Sequence, residues 1–443
     1  MTGPRKRTRA LAAAAGAALA FGLAACGSAA APHTAAGAPT ATTAAGAPTA
    51  TAAASPSPAC AGTVAGTLDA VAGRIYHDAA KGDDAAEAVQ RVQSSAALAA
   101  AIAADDPRAA HAALSSLLLN QIVAIEVLRD GRRFATAGSG PAMAPVRGSI
   151  PGASFVLSVQ ADRTFARVAA QVTGAQVLVI GAGSGGARRR GGRARGEGRA
   201  PAVKRLAGTI AGPPPAGVPS SGMLSYAGKS YQVVSRRGLA YPSSSLRIVL
   251  LVPTGSISCP GSLARARVHT LGTVGELIYK EELHSPQVAA TLRLLEGSGA
   301  FRRAVAEQSP TATREAIIGF FRAHIHVVRV RVSVGDRLLV DVGGPYVLAP
   351  VRGTLRKGGR VIGDFEMAIQ DDAGYLKLAH LFTGAQVLMR IGSQQVMGTL
   401  EPGPASVPAR GQVSYDGRAY EAYSFTGEAF PSGALRISLL FGG

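Results

Sequence analysis

The stretch Ala349-Pro350-Val351-Arg352-Gly353 decides the architecture, because it occurs a second time as Ala144-Pro145-Val146-Arg147-Gly148. Further matches follow in the same order along the chain, at residues 75–76 and 278–279, 173–178 and 383–388, and 246–248 and 435–437. A series of matches in one order indicates an internal duplication. The sequence therefore predicts two tandem copies of one unit, copy one at residues 60–253 and copy two at residues 259–443.

Each copy begins with helical spacing and continues with strand spacing. In copy one, apolar residues recur at positions 64, 68, 71 and 75, which is typical of an amphipathic helix. In copy two, residues 326–334 alternate, with valines on one face and Arg329, Arg331 and Ser333 on the other. Short links between strands favour antiparallel pairing. The predicted fold class is α+β, with N-terminal helices followed by a mainly antiparallel sheet of about six strands in each copy, interrupted by one helix.

The first 25 residues have the composition of a secretory signal peptide, since basic residues at positions 5–9 precede a short apolar run at residues 11–20. Leu23-Ala24-Ala25-Cys26 then resembles a bacterial lipobox. The resemblance implies that Cys26 is lipid-modified and becomes the first residue of the mature protein. An ordinary signal peptide with an incidental cysteine is the other interpretation. Residues 26–58, rich in Ala, Thr and Pro, are predicted to form a flexible tether.

We therefore expect a protein that is lipid-anchored to the cell membrane on its extracytoplasmic face. No run of about 18 apolar residues follows the tether, so the sequence predicts anchoring without spanning. In an oxidising compartment, Cys60 and Cys259, which begin the two copies, are expected to form a disulfide. Two separate buried thiols are the alternative.

The net charge of +19 has two local sources. One is the expected signal peptide, and the other is an Arg- and Gly-rich insertion in copy one, at about residues 181–205. The remainder is mildly basic, so no nucleic-acid partner is predicted. The insertion has almost no apolar residues and is predicted to be a disordered loop. It either contacts anionic lipid or wall polymer or is a tolerated surface insertion.

The order of elements in each copy resembles that of a Cache domain. In copy two the resemblance rests on the N-terminal helix, a strand–turn–strand at residues 330–339, Pro350-Val351, residues 359–363, and the sequence Gln370-Asp371-Asp372-Ala373-Gly374-Tyr375. It implies two PAS-like extracytoplasmic sensor modules, each with a long N-terminal helix and an antiparallel sheet. It also implies that a small ligand binds on one face of the sheet.

The chain departs from the family in two respects. Cache domains usually lie between transmembrane helices and drive an output domain. The sequence contains neither, so we expect signalling to need a transmembrane partner. The ligand pattern of the amino-acid-binding members includes Trp, and this chain has none. An amino-acid ligand is therefore not predicted.

Arg147 and Arg352, in the duplicated stretch, are the leading ligand candidates. A guanidinium held on a strand suits a carboxylate or phosphate, through two parallel hydrogen bonds. The alternative is a structural arginine held by a carboxylate such as Asp371 or Asp372. The predicted partner is a small molecule, with a carboxylate as one candidate class.

The two aspartates open the helix that carries Tyr375, so helix capping is their simpler explanation. Copy one has Asp162 and Phe165 in similar places, which indicates a more polar pocket in copy two. Tyr420, in the last strands, is expected to line the same face. We therefore expect any ligand chemistry in copy two.

Two other patterns lead to no predicted site. Residues 177–186 match the strand and G-x-G-x-x-G of a dinucleotide site, but an Arg-rich run follows in place of an amphipathic helix. His324 and His326 lie on one side of a strand with no third ligand evident nearby, so no metal is predicted. The sequence has no catalytic motif of a known type. We predict neither an enzyme nor a cofactor.

The sequence thus predicts a lipoprotein that binds or senses a small ligand outside the cytoplasm. The alternative is a structural or interaction module of the cell envelope, in which the Arg-rich insertion makes the contact.

Overall fold

The computed structural model describes residues 56–118, 121–181, 205–213, 215, 217–324, 326–345, 347–348, 350–431 and 433–442. The expected signal peptide, the lipidation site Cys26, most of the tether and nearly all of the Arg-rich insertion lie outside these residues. Within them, no helix combines the length and the apolar character that crossing a membrane requires.

Copy one begins with helices α1 (Pro58–Lys81), α2 (Asp83–Gln93), α3 (Ala96–Ala103) and α4 (Pro107–Leu117). Local signals set where these helices start. The hydroxyl of Ser57 accepts from the backbone N of Cys60 at 3.3 Å, and Pro58 occupies the first turn of α1, where an N–H would have no helical partner. The carboxylate of Asp106 accepts from the first amides of α4 in the same way.

The described strands of copy one form two sheets. In chain order the elements are β1 (Ala124–Arg129), β2 (Arg132–Gly138), β3 (Ala142–Met143), β4 (Val146–Ile150), β5 (Ala153–Ser158), β6 (Gln160–Ala161), α5 (Asp162–Thr173), β7 (Gln176–Gly181), β8 (Arg205–Gly208), β9 (Ser221–Tyr226), β10 (Lys229–Ala240) and β11 (Ser244–Pro253). The first sheet has the order β2-β1-β5-β4. The second has the order β6-β3-β10-β11-β7-β8, and β9 also pairs with β10.

Copy two repeats this organisation after a short 3-10 turn at Thr254–Ser256. Its elements are α6 (Leu263–His284), α7 (Pro286–Gly297), α8 (Gly299–Ala306), α9 (Pro310–Ala323), β12 (Arg329–Val334), β13 (Arg337–Gly343), β14 (Val351–Lys357), β15 (Arg360–Ala368), α10 (Asp372–Thr383), β16 (Gln386–Ile391), β17 (Gln394–Gly398), β18 (Arg410–Tyr415), β19 (Arg418–Glu428) and β20 (Ala434–Gly442). Its sheets have the orders β13-β12-β15-β14 and β17-β16-β20-β19-β18.

The predicted α+β class and antiparallel pairing are confirmed. The single sheet predicted for each copy is not observed, because the described strands of each copy form two sheets. Helices α5 and α10 carry the chain away from the first sheet. The strand that follows each helix, β7 or β16, pairs with the last strand of its copy. Alternation along a strand identifies its buried face but not its neighbour in the sheet.

The main hydrophobic core belongs to both copies. It contains buried residues of α1, α5 and the second sheet of copy one, and of α6, α10 and the second sheet of copy two. Helix α1 packs against α6, while α5 contacts α6 and α10 contacts α1. Such reciprocal contacts between equivalent elements indicate an approximate two-fold axis. Smaller cores lie beneath the first sheets and on the other faces of the second sheets.

The predicted disulfide between Cys60 and Cys259 is present, with the two Cα atoms 6.1 Å apart. Cys60 lies in the first turn of α1, and Cys259 lies just before α6. The bond therefore joins the beginnings of the two long helices that pack against each other.

Candidate ligand-binding site

The first sheet of copy two has one face covered by helices and one polar face. Val330, Val332 and Met367 belong to the core beneath α7, α8 and α9. Side chains of a strand alternate, so the residues between them point the other way. On this polar face lies a cavity of about 470 Å³, here called the groove. Its polar lining comprises Arg331, Ser333, Arg352, Thr354, Asp364 and Glu366.

A row of opposite charges crosses the groove. Glu366 of β15 stands in register with Arg331 of β12 on one side and with Arg352 of β14 on the other. Nε of Arg352 donates to Oε1 of Glu366 at 3.0 Å, and its Nη1 donates to Oε2 of Glu428 at 2.8 Å. The bond to Glu366 and the charge of Glu428 raise the pKa of Arg352. The guanidinium is thus charged and oriented, while 54% of the side chain remains exposed.

A second polar row lies two residues further along the strands. Asp364 is in register with Ser333 and with Thr354. Oγ1 of Thr354 donates to Oδ1 of Asp364 at 2.9 Å. Two residues of a strand span about 6–7 Å. The groove therefore offers guanidinium groups at one position and a carboxylate with hydroxyls at another, at a separation that suits a small polar molecule.

The second sheet contributes the edge of the groove. Pro431, between β19 and β20, lines the cavity. The guanidinium of Arg329 lies over the ring of Phe430 at 4.4 Å from the ring centroid and forms two hydrogen bonds with Asp341, at 2.9 and 2.7 Å. Because these contacts fix the loop between β19 and β20 against the first sheet, Arg329 holds the groove in shape.

Copy one does not reproduce the charged row. The positions of Arg331 and Glu366 are taken by Glu126 and Val156, which are 6% and 3% exposed. Glu126 forms an ion pair with Arg133. Arg147 matches Arg352 but stands opposite Val156, and the structure gives it no hydrogen bond or ion pair with the described residues. The asymmetry is visible in the sequence once the two copies are aligned strand by strand.

Of the predicted site residues, Arg352 lines the groove. The carboxylates that hold it belong to Glu366 and Glu428. The sequence had offered Asp371 or Asp372 as its structural partner, and neither one takes this role, because both lie at the start of α10. The partner Glu366 was missed because it is adjacent to Arg352 only through strand register, which no local pattern encodes.

Asp371 and Asp372 stabilise the start of α10. Oδ1 of Asp371 accepts an amide of the first turn at 2.7 Å and caps the helix. Asp372 is buried, and its Oδ1 accepts from the amides of Val347 and Leu348 at 3.0 and 2.9 Å. Burial raises the pKa of Asp372, and the two amides oppose that shift. Neither carboxylate lines the groove.

Tyr375 and Tyr420 are core residues. Tyr375 is fully buried, and its hydroxyl donates to the backbone carbonyl of Gly275 in α6 at 3.0 Å. Burial raises the pKa of this hydroxyl. Tyr420 lies in a separate small core with Leu388 and Leu440. The structure therefore does not bring these tyrosines together with Arg352.

Asp162 of copy one differs from its counterpart Asp372. It is 1% exposed, and neither of its carboxylate oxygens has a hydrogen-bond partner among the described residues. Burial alone raises its pKa to about 6. Phe165 takes the place of Tyr375 and meets Tyr76 edge to face, at a centroid distance of 6.4 Å.

The prediction that His324 and His326 lie on one side of a strand is wrong, because His324 lies at the end of α9 and His326 precedes β12. Within the described part of the chain, no group of three or more His, Cys, Asp or Glu side chains is placed to hold a metal ion.

Comparison with known proteins finds structural similarity at low sequence identity. No family model matches it, and no curated protein matches it. The periplasmic domain of LuxQ from Vibrio cholerae is similar at 11% identity and a TM-score of 0.28, over 40% of this chain and 98% of that one. The ligand-binding domain of the Pseudomonas fluorescens chemoreceptor CtaA, in complex with L-alanine, is similar at 10% identity and a TM-score of 0.24, over 39% of this chain and 96% of that one.

The sensory domain of the Campylobacter jejuni chemoreceptor Tlp3, with isoleucine bound, is similar at 8% identity and a TM-score of 0.22. It is matched over 40% of this chain and 94% of its own length. In this chain itself, the long first helix and the antiparallel sheets of each copy are the arrangement expected of a Cache-like module.

Proposed function

We propose that this protein binds a small carboxylate-bearing molecule in the groove of copy two and acts as a sensor or ligand-binding protein outside the cytoplasm. The observation that carries the proposal is the guanidinium of Arg352, held in place at the cavity by Glu366 and Glu428 yet half exposed. A charged group fixed beside a cavity is a ready partner for an opposite charge.

The ligand's carboxylate is expected to bind between the two arginines of the row. Arg352 uses Nε and Nη1 for its two glutamates, so Nη2 remains for a ligand. Arg331 has no ion pair with the described residues, and it flanks the groove on the other side of Glu366. Asp364 and Thr354, in the second polar row, suit a hydroxyl or an ammonium group of the same molecule.

A ligand bound at Arg352 can affect helix α6 through Glu428. Glu428 ends β19, and its backbone N donates to the hydroxyl of Tyr279, on α6, at 2.7 Å. A ligand carboxylate at Arg352 competes with the side chain of Glu428, which lies at this junction of sheet and helix. We infer that the bound state shifts the packing of α6 against α1, the contact shared by the two copies.

We also propose that the protein is held at the membrane by lipid on Cys26 and passes its signal to a transmembrane partner. The lipobox-like sequence supports the anchor. The disulfide supports an oxidising compartment. Cys26→Ala is expected to release the protein from the membrane fraction, and retention of this variant would contradict the lipid anchor.

The binding test compares matched arginines of the two copies. Titration calorimetry with a series of small mono- and dicarboxylates, with and without an amino group, is expected to identify a ligand for the wild type. Arg352→Ala should weaken binding at least about tenfold, because a charge-assisted pair is lost. Arg147→Ala removes the same group from copy one and should leave the affinity unchanged. Binding by no member of the series, or equal losses in the two variants, would contradict the proposal.

A further inference from the structure

The approximate two-fold axis creates two equivalent junctions between the copies. The first junction is formed by α1 of copy one and α10 of copy two, and the second by α6 of copy two and α5 of copy one. A Cβ atom at Gly384 would lie 3.2 Å from Nη2 of Arg74 in the first junction, and one at Gly174 would lie 3.5 Å from Leu277, the counterpart of Arg74, in the second. Equivalent helices meet in the two junctions, so their side chains can be compared position by position.

The second junction is closed by a hydrogen bond between the copies. Nε2 of Gln171 donates to Oε1 of Glu281 at 2.8 Å. The corresponding residues of the first junction are Leu381 and Asp78, which form no such bond. Both instead line a cavity of about 530 Å³, here called the junction cavity.

The junction cavity is lined by two guanidinium groups that the second junction lacks. Arg74, His77 and Lys81 approach it from one face of α1, and Arg236 approaches it from β10. The counterparts of Arg74 and Arg236 in copy two are Leu277 and Phe425. Because apolar residues fill these places in the second junction, the guanidinium groups are not required for the helices to pack.

The guanidinium groups of Arg74 and Arg236 are each held in orientation by hydrogen bonds, and each has further N–H donors that these bonds do not use. Nη1 of Arg74 donates to the backbone carbonyl of Phe382, at the end of α10, at 2.8 Å. Nε and Nη2 of Arg236 donate to the two oxygens of Asp69, each at 2.8 Å. A guanidinium has five N–H groups, so each arginine keeps several for another partner.

Gly73 makes room for this arrangement. A Cβ atom at Gly73 would lie 1.6 Å from Nη1 of Arg236, so the guanidinium rests directly on the backbone of α1. Burial and the nearby charge of Arg267 both lower the pKa of Arg74.

The acidic side chains of the region do not neutralise the cavity. Asp69 is used by Arg236. Asp78 lies in the lining, and its Oδ1 is close to Gly82, where an added Cβ would lie only 2.4 Å away. Its carboxylate therefore lies toward the end of α1. Two further acids lie near Asp78: Asp83 pairs with Lys377, and Asp84 does not line the cavity. Arg74, Lys81 and Arg236 therefore outnumber the one carboxylate of the lining, Asp78, and the one bound to Arg236, Asp69.

We propose that the junction cavity is a second ligand site, which binds an oxyanion of the phosphate or sulfate type through Arg74, Lys81 and Arg236. The tetrahedral oxyanion accepts several hydrogen bonds at once, and fixed guanidinium groups match its oxygens. The cavity is larger than one phosphate ion, so the class extends to a phosphate ester. This site is separate from the groove and does not depend on a ligand there. Since its lining comes from both copies, a bound anion would tighten the first junction.

The test is titration calorimetry of the full chain with inorganic phosphate, inorganic sulfate and glycerol 3-phosphate, against chloride at equal ionic strength. Phosphate is expected to bind with a measurable heat that chloride does not give. Arg74→Gln combined with Lys81→Gln should weaken phosphate binding at least about tenfold. Lys229→Gln combined with Arg237→Gln removes the same charge from exposed positions of β10 and should leave it unchanged. Tighter binding of the ester would identify phosphate esters as the ligand class, and equal binding would identify the free anion.

A second variant closes the junction cavity without removing its cations. Asp78→Glu combined with Leu381→Gln transplants the Glu281–Gln171 pair into the first junction and should weaken phosphate binding while thermal stability is kept. The proposal is overturned if phosphate binds no better than chloride. It is also overturned if the Arg74→Gln and Lys81→Gln variant, shown to be folded by circular dichroism, binds phosphate as the wild type does.

Discussion

Asp162→Asn should make the protein more stable than the wild type near neutral pH. The carboxyl of Asp162 is 1% exposed, and neither of its oxygens has a hydrogen-bond partner among the described residues. A buried carboxylate with no partner is unfavourable, since ionisation needs solvation that the core does not supply. Asparagine keeps the size of the side chain and removes its ability to ionise.

The magnitude follows from the pKa. Burial raises the pKa of Asp162 from 3.8 to about 6. At about 1.4 kcal/mol per pH unit, this difference corresponds to about 3 kcal/mol of lost stability once the group is ionised in the folded state. Because the folded state holds the proton more tightly than the unfolded chain does, this group makes stability fall as pH rises from about 4 to about 6. The loss is absent below that window and complete above it.

The assay is urea-induced unfolding of the wild type and of Asp162→Asn at about pH 4 and at about pH 7.5. The free energies of unfolding of the two proteins should be about equal at pH 4, and that of Asp162→Asn should be higher by about 3 kcal/mol at pH 7.5. Asp372 is the matched control, because it occupies the same position in copy two but accepts two backbone amides. Asp372→Asn should give no stabilisation, and Asp372→Ala should lose about 1–3 kcal/mol, since two amides are left unpaired. The prediction is contradicted if the free energies of unfolding of Asp162→Asn and of the wild type change in parallel across this pH range.

Two further predictions concern the shared core. Replacing Cys60 and Cys259 together by Ala should lower the free energy of unfolding by about 3–5 kcal/mol, because the bond links positions 199 residues apart; an unchanged urea midpoint would contradict this. Tyr375→Phe removes the hydrogen bond to Gly275 and introduces the residue type found at Phe165, so a loss of about 1 kcal/mol is expected in thermal unfolding. A loss above about 3 kcal/mol would show that the hydroxyl does more than bond one carbonyl.

The parts of the fold that were predictable from sequence are those encoded locally or by repetition. The duplication, the antiparallel class, the long first helix and the disulfide all followed from spacing and from residues at equivalent positions. The division into two sheets did not, because it depends on which strands become neighbours after α5 and α10. The shared core did not either. Helix α1 buries residues from Cys60 to Ala79, but the apolar spacing in the sequence does not indicate that they pack against both copies.

The site was predictable only in part. Arg352 stood out because it lies in the repeated stretch, and it does line the groove. Glu366 and Glu428 were not predicted, since the first reaches it through strand register and the second from another sheet. Asp372 and Tyr375, in contrast, were predicted to contact a ligand but make hydrogen bonds within the protein. Polar residues at the start of a helix have the same local pattern whether they meet a ligand or, as here, a backbone amide and a helix carbonyl.

The two-fold arrangement within one chain has a consequence for how its halves can differ. In a dimer of identical subunits, every substitution appears twice, so a change that improves one site is imposed on the other. Here Arg331 and Glu366 of copy two correspond to Glu126 and Val156 of copy one, and Arg74 of copy one corresponds to Leu277 of copy two. In this protein the two halves belong to one chain and are joined by one disulfide. A substitution in one half therefore leaves the other half unchanged, although the two halves share one hydrophobic core.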